Sequence, residues 1–152
     1  MNRRDLLKTI VAIPIAAIAQ SPLAFFTPHQ SQTMTDFADL IIPSTDTPGA
    51  REAHVTQYLD KLLAASDPGF QSGFSADLEA LDRYAKQAGG AEFIRLTPDS
   101  QKSVLEKMSS SDQQVSFNNL KAWVARIYYA TKPGFDELNK GGRVPASFAC
   151  GA

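Results

Sequence analysis

Apolar side chains along the chain recur at helical spacing, and no stretch shows the strict alternation of a half-buried strand. From Met34 to Ile42, Phe37, Leu40 and Ile41 fall on one helical face, and Pro43 stops the run. Ser44 to Gly49 then joins hydroxyls, a carboxylate, a proline and a glycine, a composition that predicts a tight loop. Arg51 to Ala65 carries the stripe Val55, Tyr58, Leu59, Leu62 and Leu63, which predicts an amphipathic helix. After Asp67-Pro68-Gly69, the positions Phe74, Leu78, Leu81 and Tyr84 predict another helix that runs out at Gly89-Gly90. Thr97-Pro98-Asp99 is a helix start, with Thr as cap, Pro where no N–H is needed and Asp beside the positive end, and Val104, Leu105 and Met108 supply its face. Val115 to Thr131 sets Phe117, Leu120, Val124, Ile127 and Tyr128 on one side, Trp123 stands beside them, and Pro133-Gly134 ends the element. The reading is all-α: a single domain of about five helices over residues 34–135, followed by an extended tail over 136–152 that is rich in glycine.

The first residues have a different character. Met1 to Lys8 is charged, Ile10 to Ala19 is apolar, and Ala17-Ile18-Ala19 supplies small residues for cleavage, so residues 1–19 read as an export signal. The apolar segment is too short for a bilayer core, which takes about 20 residues of helix. Arg3 and Arg4, followed by Leu6, Leu7 and Lys8, resemble the twin-arginine signal, through which folded cargo is exported. A general secretory signal that begins with two arginines is the alternative, and both end outside the cytoplasm. Residues 20–33 lack an apolar period and are rich in Ser, Gln, Thr and Pro, which predicts a linker. The patch Leu23 to Phe26 extends the apolar segment, so an uncleaved tether is also open.

Composition narrows the function classes. Of 15 bases and 16 acids, residues 1–19 hold Arg3, Arg4, Lys8 and Asp5, which leaves 12 bases against 15 acids and no basic cluster to attract nucleic acid. His29, His54 and the single cysteine, Cys150, are the whole soft-ligand set, too few for a haem attachment or an iron-sulfur cluster. His29 falls in the linker and His54 beside the second stripe, and neither acquires a role. Asp36, Asp39 and Asp46 lie close in sequence, but a solvated face and turn capping account for them. Gly89-Gly90 and Gly141-Gly142 lack the strand-before, helix-after setting of a phosphate loop. No catalytic residue, cofactor ligand or metal ligand is assigned in this chain.

The block Leu40-Ile41-Ile42-Pro43-Ser44-Thr45-Asp46-Thr47-Pro48-Gly49-Ala50 resembles the signature of the gluconate 2-dehydrogenase subunit 3 family. Phe93 with Leu96-Thr97-Pro98, the aromatic segment Trp123 to Tyr129 and a cysteine near the C-terminus add to the resemblance. The resemblance implies a non-catalytic small subunit of a periplasmic, membrane-associated dehydrogenase complex. In such a complex a large flavoprotein subunit carries FAD and oxidises a sugar, sugar acid or polyol. A multihaem cytochrome c subunit, with haem c, receives the electrons. The small subunit is implied to escort the flavoprotein through the twin-arginine translocase, and Cys150 is implied to suit a disulfide with that large subunit.

Two other readings stay open on the residues alone. One is a stand-alone periplasmic binding or scaffold domain that uses Trp123, Tyr128 and Tyr129 as an aromatic contact surface. The other, a small hydrolase built on Asp36, Asp39 and Asp46, lacks a nucleophile or base to accompany them.

Overall fold

The computed structural model describes residues 22–140, so the signal segment and Cys150 lie outside the described residues. The described chain is helical and contains no strand. Six α-helices follow in order: α1 (Pro28–Ile41), α2 (Val55–Ala64), α3 (Pro68–Gly89), α4 (Pro98–Met108), α5 (Gln114–Ala130) and α6 (Lys132–Leu138), with a 3-10 turn at Phe93–Arg95 before α4. Helix α5 touches each of the other five and forms the axis of the fold. Its Phe117, Leu120, Val124 and Tyr128 meet Met34 and Phe37 of α1, Leu59 and Leu63 of α2, and Leu78 and Leu81 of α3 in one buried cluster.

Four of the six helices begin with the same local chemistry. Thr27, Asp67, Thr97 and Thr131 each accept a backbone N–H three residues on, from Gln30, Phe70, Ser100 and Gly134, with a proline in the first turn. Such a cap is worth about 1 kcal/mol, and proline costs nothing where the helix leaves its N–H free. Helix α3 ends on Gly90, whose φ of 82° is the left-handed conformation that closes a helix at little cost for glycine.

The helices extend beyond the ranges expected from periodicity at both ends of the domain. Helix α1 starts at Pro28, within the expected linker, because Thr27 and Gln30 form a reciprocal capping box. His29 is therefore helical. At the other end, Pro133-Gly134 does follow the end of α5, but the extended tail expected beyond it gives way to a further helix, Lys132–Leu138. Thr131 caps α6 after closing α5, donating from Oγ1 to the Tyr128 carbonyl at 2.6 Å. The expected stripe on the second helix also narrows. Val55, Leu59 and Leu63 are buried, whereas Tyr58 and Leu62 are 53 % and 37 % exposed, and Thr56 and Asp60 take buried places.

Asp60 explains that rotation. Only 4 % exposed, its carboxylate accepts backbone N–H groups from Ala24, Phe25 and Phe26 at 2.6, 2.9 and 2.7 Å. Burial alone would raise the Asp60 carboxyl, but the three backbone donors outweigh it and hold it below its ordinary value. The clamp delivers Phe26 into the core against Phe74, ring centroids 6.0 Å apart. The patch Leu23 to Phe26 is thus partly spent on the domain's own interior, and among the described residues no helix is long and apolar enough to cross a membrane.

Replacing Asp60 by Asn keeps the shape but removes the charge that strengthens those bonds, and a loss of about 2 kcal/mol is expected in urea unfolding at neutral pH. Because the folded carboxyl lies below its unfolded value, the stabilisation is complete above the ordinary carboxylate range and fades as pH falls through the depressed folded value. The gap between the two proteins should therefore narrow on acidification; a gap unchanged at every pH contradicts the clamp.

Candidate functional site

The segment from Ile42 to Ala50 leaves α1 and turns back on itself before α2. Ala50 N–H donates to the Ile42 carbonyl at 2.8 Å and closes the loop, while Thr45 N–H donates to the Thr47 carbonyl at 3.0 Å inside it. Gly49 N–H donates to Ser44 Oγ at 3.1 Å. At this crossing a Cβ on Gly49 would stand 2.5 Å from Ser44 N and 2.6 Å from the Ile42 carbonyl oxygen, so only glycine fits. Pro43, Thr45, Asp46 and Pro48 project outward and are exposed, whereas Ile41, Ile42 and Thr47 are half-buried.

Tyr128 holds this loop from below. Its hydroxyl proton lies between two acceptors, the Pro48 carbonyl at 2.8 Å and Glu137 Oε2 at 2.9 Å. Burial first, and then the hydrogen bond and negative charge of Glu137, push the phenol up to about 12. Tyr128 is fully buried, so it cannot belong to an exposed aromatic surface; it is the bolt behind one. Asp46, at the loop tip, meets Lys140 Nζ at 3.3 Å, and the Thr45 hydroxyl followed by Lys140 keeps its carboxyl below the ordinary value. Between the loop and α6 runs a groove of about 320 Å³ lined by Thr47, Pro48, Lys132, Pro133, Glu137 and Lys140, among others.

The other two aromatic candidates separate. Trp123 is half-buried, its ring 5.0 Å from that of Phe70 on α3, with the Arg126 guanidinium 5.0 Å above it. Tyr129 is 41 % exposed and leans edge-on against Tyr128 at 5.3 Å. Periodicity did not reveal Phe135 and Leu138, both largely exposed on α6, because it gave no helix there. The available signal was the Thr131-Lys132-Pro133 start, the same cap-and-proline pattern that opens α4.

The acidic cluster does not assemble. Asp36 and Asp39 both meet Arg51, at 3.1 and 3.2 Å, while Asp46 lies with Lys140 on the loop. His29 pairs with Asp82, whose other oxygen accepts the Phe93 backbone N–H at 3.1 Å and so ties α1, α3 and the 3-10 turn together. His54 is an exposed residue in the left-handed conformation, φ 57°, where the chain turns into α2. Among the described residues no group of three or more His, Cys, Asp or Glu side chains has the arrangement of a metal site.

A family model described as gluconate 2-dehydrogenase subunit 3 matches residues 28–142. No curated protein and no solved structure matches the chain.

Removing the Tyr128 hydroxyl by Tyr128→Phe leaves the Pro48 carbonyl without its donor and should cost about 1–2 kcal/mol in thermal or urea unfolding. The folded phenol is raised, so its contribution is complete below the ordinary tyrosine range near pH 10 and is lost as pH rises through about 12. Ultraviolet titration of the folded chain should contain a tyrosinate component near pH 12 that the variant lacks. An unchanged titration curve contradicts the assignment.

Proposed function

The chain belongs to the gluconate 2-dehydrogenase subunit 3 family, and on that premise we propose that it is the non-catalytic small subunit of a periplasmic FAD-dependent dehydrogenase of the gluconate, glucose, fructose or sorbitol type. The observation that carries the reading is the extent of the family match, which opens on the first residue of α1 and runs past the end of α6. Interior polar chemistry fits the same reading. Asp60 is spent on backbone N–H groups, Tyr128 on the loop, Asp82 on His29 and Phe93, and Gln101 on the Phe93 carbonyl. These groups hold a surface in shape, which is what a subunit acting through contact requires.

In this proposal the partner flavoprotein carries FAD, which takes electrons from the sugar or sugar acid, and a multihaem cytochrome c subunit passes them on. This chain contributes the address. Arg3 and Arg4 direct a folded complex to the twin-arginine translocase, a route suited to cargo whose FAD is inserted in the cytoplasm. The complex then resides in the periplasm, held at the membrane through its cytochrome. Cys150 joins the flavoprotein through a disulfide once in that oxidising compartment.

Loss of this gene should leave the flavoprotein and its dye-linked dehydrogenase activity in the cytoplasm, and Arg3→Lys with Arg4→Lys should do the same with both chains present. Periplasmic activity undiminished in either strain rejects the escort. On a non-reducing gel of the exported complex, the unaltered chain should migrate with the flavoprotein as one band that dithiothreitol separates. Cys150→Ser should abolish that band, and an unaltered chain that runs free of the flavoprotein without reductant rejects the bridge, since Cys150 is the single cysteine of this chain.

A further inference from the structure

Thr33 on α1 is 1 % exposed, and its hydroxyl oxygen has no hydrogen-bond partner among the described residues. A buried hydroxyl is costly to leave unpaired, and such an orphan calls for something beside it that the chain itself does not supply. Thr33 lines a cavity of about 220 Å³ between the first turns of α1 and the middle of α3, walled by His29 and Gln30 on one side and Leu78, Glu79 and Asp82 on the other. A single water takes about 10–15 Å³ of such space, so there is room for more than the one solvent molecule that Thr33 alone would need. The walls are set before anything enters, because Asp82 holds both His29 and the Phe93 backbone N–H, and Thr27 caps α1 at Gln30. No lysine or arginine lines the cavity, whereas Glu79 and Asp82 do, so it is net negative in either protonation state of His29. Anions, sugar acids included, are repelled from it. Because the described acidic and histidine side chains form no group with the arrangement of a metal site, the cation that suits this charge is organic.

We propose that this cavity binds a small organic ammonium that also carries a hydroxyl group, in its simplest form an amino alcohol. The ammonium donates to the Glu79 and Asp82 carboxylates, as charge-assisted bonds that outweigh neutral ones, and the ligand hydroxyl pairs with Thr33 Oγ1. Leu78 gives the connecting methylene groups an apolar wall. A neutral polyol of the same size can meet Thr33 but brings no charge to the carboxylates, and it binds more weakly. Bound here, the ligand touches α1 and α3 together and stabilises their contact, as any molecule does that binds only the folded chain. The site is lined by α1 and α3 alone, apart from the loop and α6, and it stands whether or not the chain acts as an accessory subunit.

The test titrates 2-aminoethanol into the isotope-labelled full-length chain at neutral pH and follows backbone amide shifts by NMR, with glycerol as the neutral probe and acetate as the anion. Saturable shifts confined to the first turns of α1 and to the Leu78–Asp82 turn of α3 are expected with 2-aminoethanol, about tenfold weaker binding with glycerol, and none with acetate. Thr33→Val, which keeps the shape and removes the hydroxyl, should weaken 2-aminoethanol about fivefold. Glu79→Gln changes an exposed side chain, so it leaves the fold intact, and should weaken it by a similar factor. Shifts that do not saturate, or that glycerol produces equally well, overturn the proposal, the second outcome by showing that charge plays no part. A folded Thr33→Val chain that is more stable and binds as before shows a hydroxyl merely left dry in the interior, and overturns it too. Binding unaltered by Glu79→Gln does the same, even where Thr33→Val fails to fold.

Discussion

The buried hydroxyl of Tyr128 links parts of the chain that lie far apart in sequence: the Pro48 carbonyl in the loop after α1, Glu137 on α6, and its own helix α5. A phenol fully removed from water must find a partner, and this one finds an acceptor on each side. The loop and α6 are therefore two sides of one structure. Each has local bonds of its own, the Ala50–Ile42 closure of the loop and the Thr131 cap of α6, and the same oxygen atom fixes the two against each other. Gly49 and Gly134 make the arrangement possible by giving up the side chains that would collide with backbone at the two crossings.

A second buried polar group does comparable work at the other end. Asp60 gathers Ala24, Phe25 and Phe26, so that the described chain is anchored before α1 begins and Phe26 joins the core. Hydrogen bonds to a carboxylate in a dry setting are stronger than neutral ones, which is why a charged residue is tolerated where a leucine would be expected. For a chain read as entering export in folded form, this places the beginning of the fold close behind the address. Only four residues separate Ala19 from Ala24.

Much of the body was legible because apolar spacing and capping chemistry agree there. The cores of α3, α4 and α5 follow the stripes through Leu78 and Leu81, Val104 and Leu105, and Leu120 and Val124. Elsewhere the signal was of another kind. Residues 28–33 have no apolar period, yet Thr27, Pro28 and Gln30 start a helix through capping alone. Pro133-Gly134 read as a stop because proline and glycine end helices, although proline in a first turn starts one equally well, and here a glycine is needed for close approach to α5. Asp60 belongs to no pattern in the sequence, and Tyr128 reads there both as part of an apolar stripe and as an aromatic contact. Their roles depend on partners more than thirty residues away, which no local pattern encodes. The Pro43–Gly49 block was recognisable as a motif, but that it forms one wall of a groove with α6 emerged only in three dimensions.

Membership of the gluconate 2-dehydrogenase subunit 3 family gives that wall a context, since the family's name is that of a component of an assembly. A helical body in which buried Asp60 and Tyr128 are committed to the segment before α1 and to the loop after it suits a subunit that acts by contact and leaves the redox chemistry to others. The most direct test is the native mass of the periplasmic protein, measured by light scattering with flavin absorbance followed across the same peak. The account predicts this 16.5 kDa chain, less its signal if that is cleaved, in a larger particle containing flavin in equal amount. A flavin-free monomer as the sole periplasmic form would contradict it.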